Sequence, residues 1–182
     1  MREPAPPYAG EGAHGLRHVS EDATIARFAP HHRPEHAEQE PLVWAVDTRH
    51  LPLFWFPREC PRGTFWAHGG TSAADVEHFL DGDRSRRVHA FEASWLDEFR
   101  HARVYAYRLP LGPFEPYAPA GGYWIARESV EPLDLVELGD LAELHARAGI
   151  ELRIVPRLRP LWDRVIDSSL EFSGIRLRNL AA

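Results

Sequence analysis

The chain has 182 residues, enough for one ordinary domain, and its 44% hydrophobic content suffices for a proper core. A formal charge of −6 excludes a surface built to coat extended duplex nucleic acid. No apolar run approaches the roughly 18 residues that span a bilayer, Met1 to Gly15 lacks an apolar signal core, and a single cysteine excludes an internal disulfide framework, so a cytoplasmic protein without a membrane partner is the simplest account.

Residues 1–14, rich in Pro, Ala and Gly, offer little to bury and read as a flexible tail. Residues 15–182 read as one α+β domain. Leu16 to Val19 forms a short first strand. Ser20 or Asp22 then caps a brief helix whose apolar contacts are Ile25 and Phe28. Pro30 to Pro41 is a polar loop punctuated by proline. Leu42 to Val46 is continuously apolar, as a strand covered on both faces should be. His50 to Phe56 makes a helical turn or two that Pro57 stops.

Further along, Thr64–Trp66 and Arg87–Ala93 read as strands, and Val76, Phe79 and Leu80 show helical spacing. Trp95, Leu96 and Phe99 suggest a short helix. Arg103 to Leu109 alternates, with Tyr105, Tyr107 and Leu109 on one face. Gly121 to Ala126 turns into a strand, and Val130 to Leu138 is extended around Pro132. Leu138, Leu141, His145 and Ala148 mark a helix ended by Gly149. Ile150–Val155 is a strand, Leu158, Leu161, Trp162 and Val165 mark a helix, and Phe172–Arg178 is a last strand or ordered coil. Strands and helices lack a regular βαβ alternation. The expected architecture is therefore a central, mostly antiparallel split β-sheet with short flanking helices.

Every basic side chain is Arg; the sequence contains no Lys. A Schiff-base lysine and a P-loop lysine are both excluded, so anion recognition must use guanidinium forks or backbone N–H groups. Gly10-Glu11-Gly12-Ala13-His14-Gly15 matches a dinucleotide-loop pattern, but a Pro-rich tail precedes it where a strand is required. His31, His32 and His36 read as a solvated loop, because no second ligand cluster supports a metal site. No metal is expected. Cys60 is either a nucleophile with a neighbouring base or, the favoured reading, a buried inert thiol.

The candidate site residues come from scattered segments. His18 and Ser20 share one face of the first strand and suit a ribose hydroxyl or an amide; a core histidine and a helix-capping serine are the alternative. Arg58 and Arg62 flank a Pro-constrained turn and bracket a phosphate, or else pair with Asp47 or Glu59. Trp44, Trp55, Trp66 and Tyr123 are aromatic platforms or core. Glu151 points away from Ile150, Leu152 and Ile154, so it faces either a cleft, where it would act at a sugar carbon, or solvent beside an arginine. Arg176, Arg178 and Asn179 would be explained by a carboxylate, a phosphate or solvent.

The segments His18–Glu21, Val43–Asp47, Phe56–Arg62, Glu151–Arg153 and Phe172–Asn179 together resemble an uncharacterised bacterial family, a domain of unknown function. More distantly, an early strand His, a middle aromatic and a late strand Glu resemble the pattern of ADP-ribosyltransferase-like folds. That resemblance implies an ADP-ribosyltransferase-like fold with NAD as substrate. His18 and Ser20 would hold ribose, Trp44 or Tyr123 would clamp nicotinamide, Arg58 would help hold the cofactor, and Glu151 would be the catalytic carboxylate. The acceptor is not specified. The competing expectation is a non-catalytic module binding a phosphorylated small molecule or an RNA end in the same cleft. A Cys60-based hydrolase is the third.

Overall fold

Short apolar and alternating runs build two sheets in an α+β fold. The computed structural model describes residues 15–32, 40–118 and 121–181, so the expected tail, the glycine pattern up to His14 and His36 lie outside the described residues. In chain order the elements are β1 (Leu16–Ser20), β2 (Val43–Asp47), β3 (Arg62–Trp66), α1 (Ala73–Leu80), β4 (Arg87–Glu92), α2 (Leu96–His101) and β5 (Tyr105–Leu109). They continue with β6 (Glu115–Pro116), β7 (Tyr123–Ala126), β8 (Asp134–Glu137), α3 (Leu141–Arg147), β9 (Ile150–Val155), α4 (Arg159–Ile166) and β10 (Glu171–Ile175). One sheet runs β6-β7-β2-β1-β5-β8 with every pairing antiparallel. The other runs β10-β3-β4-β9, antiparallel except for the β4–β9 pair. Among the described residues no helix is long and apolar enough to cross a membrane.

Local chemistry accounts for the helices. Ser72 caps α1 by accepting the Asp75 N–H, and Val76, Phe79 and Leu80 form its buried stripe. Asp140 caps α3 by accepting from Ala142 and Glu143, and Gly149 follows its end at φ 67°. The helix expected after Ser20 does not form. Ser20 Oγ instead accepts the Asp22 N–H, Asp22 accepts from Thr24, and the Tyr107 hydroxyl donates to the Asp22 carbonyl. These side-chain turns compete with a helical nucleus, and Phe28 joins a β-bridge to Val130. His50 to Phe56 holds only a 3-10 turn, Leu51–Phe54.

α4 lies so close to the smaller sheet that its indole dictates two glycines. Gly63 and Gly174 are cross-strand partners in β3 and β10. A Cβ on Gly63 would stand 2.5 Å from Trp162 Cε3, and one on Gly174 would stand 2.7 Å from Trp162 Cζ2. The indole, with Leu158, Leu161 and Val165, closes the core over Phe65 and Val88. A second cluster joins Trp55, Phe56, Phe91, Phe99, Leu141 and Ile150. Inside it lie two buried histidines, His89 and His145.

Candidate functional site

A cavity of about 510 Å³ opens where β1, β2 and β7 of the larger sheet meet the end of β10 and the 54–62 segment. His18, Ser20, Trp44, Arg58 and Tyr123 all line it. Pleating places His18 and Ser20 on one side of β1, as the two-residue period requires. The His18 Nδ1–H donates to the Trp44 carbonyl at 2.9 Å. In the neutral ring this makes Nε2 the acceptor nitrogen. Ser20 Oγ accepts the Asp22 N–H at 3.1 Å, which leaves its hydroxyl proton to donate.

Aromatic rings form the adjoining wall. Trp44 is only 6% exposed, and Tyr117 and Tyr123 meet it edge-on at 4.9 and 6.3 Å between centroids. Tyr123 and Phe54, edge-on to one another at 6.0 Å, are half-buried and offer the more accessible ring surface. Phe54 carries no sequence signal separating it from core.

A cationic end adjoins these rings. Arg62 is 2% exposed, yet it lines the cavity. Its Nε–H donates to the Leu53 carbonyl at 3.0 Å and its Nη1 to the Cys60 carbonyl at 2.9 Å. Its guanidinium sits 5.3 and 5.8 Å over the Phe56 and Phe54 rings. Burial pulls its pKa down to about 10, so it stays charged at neutral pH. Arg58, Arg176 and Arg178 complete this end, and Glu59 lies among them. The Glu59 carboxylate accepts from Asn179 Nδ2 at 3.0 Å and from Arg178 at 3.3 Å, and stands 3.3 Å from Arg176 Nε. The Asn179 hydrogen bond, then the arginine charges, hold its pKa below the usual carboxylate range. Glu59 is thus a carboxylate partner of Arg176, Arg178 and Asn179, one of the three explanations the sequence left open for them. Arg176 is also one of two non-glycine described residues at positive φ, 56°.

The late carboxylate is not at this cavity, and the cysteine takes its favoured role. Glu151 does not line this cavity. β9 hydrogen-bonds to β4 in the smaller sheet, whereas β1 pairs with β2 and β5 in the larger. The imidazole and the late carboxylate therefore do not share neighbouring strands. Glu151 instead accepts from Arg153 at 2.8 Å and from Arg86 at 3.4 Å. Its strand also breaks the assumed alternation, for Ile154 is 45% exposed. Cys60 is fully buried, as the favoured reading had it, and burial pushes its thiol up to about 12, which speaks against the alternative of a hydrolase nucleophile. Among the described residues no group of three or more His, Cys, Asp or Glu is placed to hold a metal ion.

Comparison with known proteins gives one match. A model described as a family of unknown function, DUF6886, aligns to residues 17–180. No curated protein and no solved structure matches the chain.

Proposed function

The chain belongs to the DUF6886 family of unknown function, and we propose from its cavity that it binds a phosphorylated, nucleotide-like ligand, NAD or a relative. The observation that carries this reading is the convergence on one cavity of His18 and Ser20 with Arg58 and Tyr123, from three segments far apart in sequence. The His18 Nε2 acceptor and the Ser20 hydroxyl suit two adjacent ribose hydroxyls. Tyr123 and Phe54 suit a planar ring. The arginine end suits phosphate. A 510 Å³ volume is in the range of small-molecule sites.

Binding without transfer is the better-supported form, because Glu151 is paired with two arginines away from the cavity. Among the described residues the carboxylates that line the cavity, and so could serve an ADP-ribosyltransferase-like activity, are Glu21 and Glu59. Calorimetry and thermal shift with NAD, ADP-ribose and AMP test the proposal, alongside an assay for nicotinamide release. A ligand at 100 times its Kd stabilises the fold by about 2.7 kcal/mol. That shift should shrink in Tyr123→Ala and His18→Ala and persist in Glu151→Ala. No stabilisation by any of the three ligands refutes the reading. Nicotinamide release lost in Glu59→Gln or Glu21→Gln would replace it with glycosyl transfer.

A further inference from the structure

The arginine end contains four guanidinium groups and two carboxylates, Glu21 and Glu59, among the described lining residues. Arg62 is the fixed member. Two carbonyls and two rings hold it in place, and among the described residues no carboxylate reaches ion-pair distance of it. A buried guanidinium so arranged is a fixed positive charge in the cavity lining. Glu59 already occupies part of that end. Its single negative charge bridges Arg176 and Arg178, with Arg58 Nε at 3.9 Å.

We propose that this end of the cavity is a receptor for a divalent phosphate group, and that Glu59 is the internal anion such a group displaces from Arg176 and Arg178. The inference rests on the reading that this cavity is the ligand site. A phosphate brings two charges and at least three acceptor oxygens to forks that Glu59 now bridges. Glu59, released, turns to solvent with the half-exposed Arg58 side chain. Arg62 and Arg176 then bind the phosphate from inside. The same chemistry serves a terminal phosphomonoester or the diphosphate bridge of a dinucleotide.

The test is calorimetric titration of the wild type, Glu59→Gln and Asn179→Ala with inorganic phosphate, pyrophosphate, AMP and adenosine. Glu59→Gln removes the competing charge. Asn179→Ala removes the hydrogen bond that seats it and guards against misfolding of the first variant. Phosphate or pyrophosphate should bind each folded variant about tenfold tighter than wild type, roughly one charge-assisted contact, with adenosine unchanged. Preference for pyrophosphate identifies a diphosphate bridge, and preference for phosphate and AMP a terminal monoester. Anion affinities equal to or below wild type in a folded variant overturn the proposal. The two readings separate cleanly. AMP or NAD binding that neither anion competes with sinks the phosphate receptor alone, whereas anion binding that the nucleoside part does nothing to tighten sinks the nucleotide reading alone.

Discussion

The buried pair His89–His145 makes stability depend on pH in a way that can be worked from its hydrogen bonds. The His145 Nδ1–H donates to the Leu141 carbonyl at 2.7 Å, so its Nε2 must accept, and it accepts from the His89 Nδ1–H at 3.0 Å. His89 Nε2 is then a bare acceptor, buried without a hydrogen-bond partner. A proton added there would create an unsatisfied N–H in an aromatic cage of Phe56 and its neighbours. Burial, reinforced by the charge of Arg87, holds His89 well below the ordinary range. Burial pulls His145 down to about 4 against an ordinary 6.5. Both folded values lie below the unfolded ones. The contribution is therefore complete above about pH 6.5 and is lost as pH falls toward the folded value, because the unfolded chain takes up protons that the folded one refuses. For His145 alone the loss between pH 7.5 and pH 5 is about 2 kcal/mol, and His89 adds to it in the same direction. Urea unfolding at pH 7.5 and pH 5 measures it, comparing the wild type with the double variant His89→Leu/His145→Leu. Removing both partners together leaves no orphaned donor and is far milder than removing one. The wild type should lose at least about 2 kcal/mol more than the double variant over that interval. Parallel curves for the two proteins would refute the assignment of two neutral, buried imidazoles.

Other expectations follow from single contacts. Gly63→Ala or Gly174→Ala drives a methyl into the Trp162 indole and should destabilise by about 1–3 kcal/mol in chemical denaturation. Trimming the indole in Gly63→Ala/Trp162→Leu should recover part of that loss, and strict additivity of the two changes would argue against the clash. Arg176 sits in the left-handed region, so Arg176→Gly should be more stable than Arg176→Ala by about 1 kcal/mol, although both variants lose the same charge; equal thermal midpoints would contradict the strain. Cys60, buried and with its thiol pushed up to about 12, should resist an alkylating reagent at pH 7.5 until the chain is unfolded, as mass spectrometry would show. Glu151→Ala should leave NAD or AMP affinity within twofold of wild type, since Glu151 does not line the cavity and is held in a part-buried ion pair with Arg153.

What the sequence revealed and what it hid divide along the range of the forces involved. β2, α1, α3 and the stop at Gly149 are legible because period and capping are local. The pairing of His18 with Ser20 on one face is legible for the same reason. The helix expected after Ser20 was wrong because Tyr107, more than 80 residues away, supplies the bonds that fix an irregular turn. Glu151 was misplaced by a subtler failure. Alternation tells which face a residue takes but not which sheet its strand joins, and β9 joined β4. The contact of Glu59 with Arg178 spans 119 residues, and no periodicity announces it.

The electrostatics of the proposed site follow from the same separation of local and distant terms. A chain of net charge −6 repels an approaching anion at long range. Screening at physiological salt confines each charge to about 8 Å, so a ligand feels the four cavity arginines only once it has entered. That arrangement favours a compact anion small enough to pass inside over a polyanion that must lie along the surface. It also divides labour among the arginines. In the proposed site Arg58, whose side chain is 61% exposed, would govern entry and its salt dependence. Arg62, desolvated and pinned by two carbonyls, would govern how long the ligand stays. The penalty of burying that guanidinium is met during folding, so the site needs little rearrangement there on binding, and only Glu59 and its exposed partners have to move.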